Sequence, residues 1–538
     1  MILAPWRADS NADLMKGYLS LVLHAHLPFV RHPEHEKFLE ENWLFEGITE
    51  TYIPLLQLIE GWHRDGMQVC LTLTLTPTLC SMLLDPLLQE RYQRHIEGLI
   101  ELAEKEVVRT HWEKPFNELA VFYLQRFKSI RNFYLGCNRN LISVFRKLQD
   151  AGRLEIITSA ATHAVLPLLA HHPPSLRAQV LVSRDHYREC FAREPRGFWL
   201  PECAYSEGLE STLLEAGVRW FITDTHGILH ANPKPRYGMF APILTSNGVA
   251  AFGRDLDSAK QVWSRQEGYP GDPRYRDFYR DIGFDLDLNY VKPYLPANDK
   301  RSFTGIKYYR ITGSASSKEV YDRKAALQAA DEHADHFLRA RMQQIERLSE
   351  ILDRPPIILC PYDAELFGHW WYEGPEFLNF FVRKAYYDQN IFTLITPQDY
   401  LTSHPSNQVA TPAASSWGEG GYWGVWLNEK NQWIYPHLDI AQERMSELAR
   451  RFTQPNAFQE RALKQAAREL LLAQSSDWPF ILRTGTSPDY ARKRVNDHLL
   501  RFTALYEQLN RDSIDEHSLG ILENSDNIFP DVNFRYWA

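Results

Sequence analysis

Seven short apolar runs, each stopping at a polar residue or a proline, recur along this chain with longer stretches between them. They are Gly17–Leu23, Gln68–Leu75, Arg153–Thr158, Gly197–Leu200, Val218–Thr223, Pro356–Cys360 and Phe392–Ile395. Helix-like stretches such as Ser175–Phe191 and Glu207–Ala216 lie between them. Parallel strands need long crossovers, which helices supply, so this alternation predicts an α/β fold around a parallel sheet. About seven strands predict a barrel, either closed or incomplete. Polar residues follow nearly every run, which marks the C-terminal face of the strands as the working face.

Two regions interrupt the pattern. Residues 83–145 read as amphipathic helices inserted between strands. After Trp433 the chain turns helical again, at Ile440–Phe452, Ala457–Ala473 and Tyr490–Asp512. The expected domains are therefore a barrel over 1–82 and 146–400, an inserted helical domain over 83–145, and an aromatic loop with a C-terminal helical domain over 401–538. Ser264–Ser317 is too long for a passive loop and is expected to elaborate the active site. Lys318–Asp353 reads as one long amphipathic helix or two.

The charge balance, 59 Lys+Arg against 68 Asp+Glu for a net −9, argues against nucleic acid or anionic membrane as partner. Six scattered cysteines without a CxxC read as reduced thiols of a cytoplasmic protein. Met1–Lys16 holds no apolar leader segment, and no run approaches a membrane span. Aromatic residues reach 13%, with 15 Trp, several of them in Gly-rich stretches where a core role is less natural. Flat aromatic faces suit sugar rings.

The runs ending Trp199-Leu200-Pro201-Glu202 and Cys360-Pro361-Tyr362-Asp363 share one form: apolar strand, proline, carboxylate. Two carboxylates at the same end of a barrel are what glycoside chemistry requires, one as nucleophile and one as acid/base. A structural salt bridge is the alternative, but neither carboxylate has an adjacent arginine. Glu365 competes with Asp363 for the acid role; Asp363 is preferred because it directly follows the strand. His24 and His26 share one face of a strand, and His163 follows another. They could ligate a metal, but no tight spacing motif supplies the remaining ligands, so hydrogen bonding to sugar hydroxyls is the preferred reading. No metal and no cofactor are expected. Ser415–Trp426 carries four aromatics separated by glycines, fitting a rigid loop that presents indoles to a glycan or staples the barrel to the C-terminal helices. Asp477, in Gln474-Ser475-Ser476-Asp477-Trp478, either reaches back to substrate or caps the next helix.

These motifs, taken in order, resemble glycoside hydrolase family 57: His24-Ala25-His26-Leu27-Pro28-Phe29, Gly152–Ile156, Trp199–Tyr205, Pro361–Trp371 and the 415–426 loop. That loop, the stretch from Gly253-Arg254-Asp255 through Gln261–Ser264 to Gly268–Asp272, and Ser475–Trp478 look more narrowly like the 1,4-α-glucan branching enzymes of the family. The resemblance spans about residues 17–510. It implies a (β/α)7 barrel with an inserted and a C-terminal helical domain, and a retaining mechanism with Glu202 as nucleophile and Asp363 as acid/base. It places substrate contacts at Arg254, Gly271, Trp417 and Asp477, with Trp263 and Trp426 as aromatic platforms. It also implies a water-excluding tyrosine on a mobile loop, for which Tyr237 is the counterpart. The implied partner is an α-glucan such as amylose, amylopectin or glycogen, met by a monomer or weak homodimer. An amylase or 4-α-glucanotransferase with the same catalytic pair is the nearest alternative. A metal-dependent deacetylase-like hydrolase and a non-catalytic glycan binder stand further off.

Overall fold

The structure is a computed structural model that describes residues 15–264, 267–296, 300–313 and 317–538. Most of the N-terminal segment expected to hold no leader (1–14), and three short pieces of the polar 264–317 stretch, lie outside the described residues. Nine strands form one sheet: β1 (Gly17–Ala25), β2 (Leu71–Leu75), β3 (Leu154–Ser159), β4 (Gly197–Trp199), β5 (Trp220–Thr223), β6 (Ile243–Leu244), β7 (Ala250–Gly253), β8 (Ile357–Asp363) and β9 (Phe392–Leu394). Their order is β6-β7-β5-β4-β3-β2-β1-β8, with β9 paired to β1 off that path. All pairings are parallel except the β6–β7 hairpin.

The (β/α)7 barrel therefore consists of β1, β2, β3, β4, β5, β7 and β8. The count of seven matches the sequence reading, but the membership differs. Ala250-Ala251-Phe252-Gly253 escapes notice because small residues give little strand signal. Phe392–Leu394 is a strand, yet it pairs only with the first residues of β1 (Gly17–Leu19), while Val22–Ala25 pair with β2. β8 also runs further than expected, through Pro361 to Asp363.

The seam between β7 and β8 is closed without a ladder. The Asp255 N–H, just past β7, donates to the Leu359 carbonyl of β8 at 2.8 Å. The Asp255 carboxylate is in turn bracketed by Arg341 at 2.9 Å and Gln344 at 2.7 Å, both on the long helix Arg323–Ile351. Both faces of the sheet are covered. In β2 the leucines and the threonines are all buried, so its alternating LTLTL pattern does not mark a solvent face. At Gly197 a Cβ would stand 2.3 Å from the Trp220 ring, so the close approach of β4 and β5 there requires glycine.

Helices Pro86–Arg109, Lys114–Gly136 and Leu141–Asp150 fill the interval between β2 and β3. Described residues of the polar 264–317 stretch pack on them and on the helix Arg323–Ile351, where Tyr275 meets His333 at 2.7 Å. The Tyr290 and Tyr308 hydroxyls donate to the buried Glu106 at 2.9 and 2.8 Å, and Tyr123 donates to the Lys307 carbonyl at 2.7 Å. The C-terminal helices, Ile434–Arg451, Ala457–Ala473, Asp477–Thr484, Pro488–Asn510 and Glu516–Ser525, dock on the barrel. Asn527 donates to Asp85 at 2.9 Å, and His32 pairs with Tyr490 at 2.9 Å. None of the described helices is long and apolar enough to cross a membrane.

Candidate active site

Glu202 enters the site through a strained turn. β4 ends at Trp199, and Pro201–Cys203 form one 3-10 turn in which Glu202 has φ 62°. A left-handed non-glycine residue costs on the order of 1–3 kcal/mol unless its surroundings hold it. Here the Trp417 N–H donates to the Glu202 carbonyl at 3.1 Å, fixing the peptide. The side chain is held twice more. Trp417 Nε1–H donates to Oε2 at 2.8 Å, and the Ser476 hydroxyl donates to Oε1 at 3.1 Å. Burial pushes the Glu202 carboxyl up to about 7, against the opposing pull of these donors.

Asp363 ends β8, where its Cα partner across the sheet is His24 of β1. Burial first, then the charges of Glu365 and Glu202, hold its carboxyl well above the usual range, with Arg254 opposing. Glu365 is engaged elsewhere: it accepts from the Tyr52 hydroxyl at 2.6 Å and from the His26 N–H at 3.2 Å. No such hydrogen bond engages the Asp363 carboxylate among the described residues.

The three histidines converge. The His24 ring lies parallel on Trp199 with centroids 4.2 Å apart, and the His26 and His163 rings stack at 3.8 Å. His24 Nε2 and His163 Nε2 are 3.0 Å apart, and His163 Nδ1 lies 2.8 Å from the Ser476 hydroxyl. Burial keeps His24 and His163 neutral, well below the usual imidazole range. His26 bridges Thr76 at 3.1 Å and Asp477 at 3.1 Å. For His26 burial disfavours the charge, but the Asp477 carboxylate, with Glu202 and Glu365, outweighs it and raises the ring. Asp477 therefore reaches back into the barrel mouth, and the helix-capping alternative does not hold. The imidazole nitrogens that meet partners meet one another, hydroxyls, Asp477 and, at 3.7 Å from His163 Nδ1, Glu202. Among the described residues one triad has metal-ligand spacing, Glu469, His498 and Asp526, far along in the C-terminal helices, where Arg494 and Arg501 pair with Asp526.

Arg254 pairs with Asp224 at 2.8 Å; Asp224 holds His226 Nδ1 at 2.9 Å, and His226 Nε2 meets the Gly421 carbonyl at 2.8 Å. This chain ties the Gly-rich loop to the ends of β5 and β7. The guanidinium also lies 5.8 Å from the Trp417 ring. Trp263 meets Trp417 edge-on at 6.2 Å and is 39% exposed.

Two expectations, those for Trp426 and Tyr237, are corrected. Trp426 is 2% exposed, packed with Val165 and Ala204, and its ring occupies the space a Cβ on Gly418 would need. It staples the loop instead of facing a glycan. Gly271, expected as a substrate contact, sits in the turn Tyr269–Gly271, beside Asp272 and Arg274. Tyr237 stacks against Arg236 and Arg354, and the neighbouring Phe240 carbonyl accepts from Ile357, the first residue of β8. It therefore lies at the entry end of the barrel, opposite Asp363. Sequence reasoning in turn missed Ser476, Thr76 and Tyr52. Ser476 lay inside a stretch already singled out; Tyr52, in a buried helical segment, carried no signal.

The model of glycosyl hydrolase family 57 matches residues 20–413, and that of the C-terminal region of 1,4-alpha-glucan branching enzymes matches residues 437–537. The chain is 33% identical to a 1,4-alpha-glucan branching enzyme of Thermococcus kodakarensis over 96% of its own length and 78% of that protein. The crystal structure of a branching enzyme from Pyrococcus horikoshii superposes with a TM-score of 0.87 at 33% identity, covering 97% of each chain. That of an alpha-amylase from Thermotoga maritima superposes with a TM-score of 0.92 at 45% identity, covering 97% of this chain and 99% of the other.

Proposed function

The chain belongs to glycosyl hydrolase family 57, and from that membership we propose that it is a retaining α-glucan transferase that cleaves an α-1,4 bond and forms an α-1,6 branch. The observation that carries this reading is the divergence of two carboxyls in one site. Glu202 is held by two donors and drawn up only to about 7, whereas Asp363 is held well above the carboxylate range. A carboxylate held by two donors beside a carboxyl kept protonated supports the reading of Glu202 as nucleophile and Asp363 as acid.

Glu202 attacks the anomeric carbon while Asp363 protonates the departing glycosidic oxygen, giving a glycosyl ester on Glu202. Asp363, now a base, takes the proton from the 6-hydroxyl of an acceptor glucose, whose oxygen displaces Glu202 with net retention. Asp477, through His26, and the paired His24 and His163 line the donor side. Trp417 and Trp263 form an aromatic wall, and Trp426 holds their loop from behind. The loop and the C-terminal helices together narrow the mouth against water, which favours a sugar acceptor.

A second reading is hydrolysis by the same pair, with water as acceptor. It is favoured by the likeness to the Thermotoga maritima amylase and by the position of Tyr237 away from the mouth. Incubation with amylose separates the two. Branching lowers iodine colour with few new reducing ends and yields chains that an isoamylase-type enzyme releases; pure hydrolysis gives ends in step with the colour loss and no isoamylase-sensitive chains.

A further inference from the structure

We propose that Ser476 is a positioning residue for the Glu202 carboxylate, driven by a one-way hydrogen-bond relay that runs from His24 through His163 and Ser476 to Glu202. The inference rests on Glu202 being the nucleophile. The distances along the relay are 3.0 Å from His24 Nε2 to His163 Nε2, 2.8 Å from His163 Nδ1 to the Ser476 hydroxyl, and 3.1 Å from that hydroxyl to Glu202 Oε1.

Proton bookkeeping fixes the direction. An ionised carboxylate only accepts, so the single Ser476 proton points to Glu202. Ser476 must then accept from His163, which makes His163 Nδ1 an N–H. His163 is neutral, so its Nε2 is a bare lone pair and His24 Nε2 carries the hydrogen. His24, neutral as well, is left with a bare Nδ1. That nitrogen is indeed buried and meets no partner among the described residues, so the relay ends in a lone pair and strands no N–H.

Two local features support a positioning role. Ser476 stands at the N-cap of the helix Asp477–Thr484, where a serine hydroxyl ordinarily bonds the first free backbone N–H groups. It makes no such cap bond; the hydroxyl is turned to Glu202 instead. His163 holds a left-handed φ of 57°, and its carbonyl accepts the Ser476 N–H at 3.2 Å, so backbone and side chain lock the pair together. Because the relay in this direction donates to Glu202, and turning the Ser476 proton away would leave a buried His24 N–H without a partner, it favours the ionised nucleophile in a site whose burial favours the acid.

The test uses the full-length chain on amylose. Ser476→Ala should lower kcat about 10- to 100-fold, the range for a lost hydrogen bond to a charged group, with KM little changed. The acid limb of its pH profile should move to higher pH. Ser476→Cys, nearly isosteric and a weak donor, should behave alike, and it replaces the alanine variant if thermal unfolding shows that variant misfolded. Wild-type kcat in the properly folded variant overturns the proposal, and so does a slower enzyme whose acid limb has not moved. Glu202→Gln is run alongside. If it keeps turnover, the nucleophile reading fails; if it is inactive while the Ser476 variants match wild type, the relay alone fails.

Discussion

Trp417 reaches Glu202 from the far side of the site: its indole N–H donates to Oε2 at 2.8 Å while its own backbone N–H holds the Glu202 carbonyl at 3.1 Å. One residue of a Gly-rich loop therefore fixes both the peptide and the carboxylate of the proposed nucleophile. Trp417→Phe keeps the ring and the backbone bond but deletes the side-chain donor. Its kcat should fall about 10- to 100-fold, with a smaller change in KM. Steady-state kinetics on amylose measure both; an unchanged kcat would show that the indole N–H is not needed.

The split between the two carboxyls sets the pH dependence. In the proposed mechanism Glu202 acts ionised and Asp363 protonated. The rate should rise with pH as Glu202 ionises near 7, and fall as Asp363, held well above the ordinary carboxylate range, loses its proton. Arg254 opposes the rise of Asp363, so Arg254→Met should move the alkaline limb upward. A profile of kcat/KM against pH reads both limbs. An acid limb near 4, the range of an ordinary carboxylate, contradicts the environment described for Glu202.

The same shift predicts a stability effect of opposite sign to the activity effect. A carboxyl whose folded-state value is raised is charged in the unfolded chain before it is charged in the fold. Stability is then lost as pH rises from the ordinary Glu value of 4.5 toward about 7. Glu202→Gln removes that penalty. The inactive variant should unfold at a higher temperature than wild type at pH 8, and the difference should shrink at pH 5. Calorimetry at the two pH values decides it.

His226 is the link between the loop and Asp224. His226→Ala should free the Gly421 region and let water compete with the acceptor sugar. Loss of one hydrogen bond of about 1 kcal/mol corresponds to up to about fivefold more reducing ends per glycosidic bond cleaved. The count of reducing ends against isoamylase-released chains gives the ratio. No change would mean that the loop holds its place without this tie.

The two outer tryptophans should separate cleanly. Trp426 is buried, so Trp426→Ala should destabilise the fold by about 3–5 kcal/mol, seen in denaturant unfolding. Trp263 is 39% exposed, so Trp263→Ala should leave stability nearly unchanged and raise KM for long glucans.

The sequence made the barrel legible where strands are long, apolar and end in polar residues, because that pattern follows from burial on both faces of a parallel sheet. It failed at β7, whose small residues carry no pattern, and at β9, whose pairing with the base of β1 depends on register rather than composition. The carboxylates, the histidines, Arg254, Trp417 and Asp477 were legible as residues in motifs. What each does was not. Trp417 and Trp426 sit nine positions apart in one loop, yet one bonds Glu202 and the other is interior, a difference set by the space at Gly418. Ser476 was hidden because a serine before a helix looks like a cap. Only the position of Glu202, 274 residues away, shows where its hydroxyl goes.

That distance along the chain has a consequence for a protein made from its N-terminus onward. All seven barrel strands and both carboxylates have left the ribosome before Trp417 and Ser476 emerge. A nascent barrel therefore holds Glu202 without either of its side-chain donors, in a turn that Trp417 has not yet fixed. The side chains that hold this carboxylate are thus among the last of the site to be made.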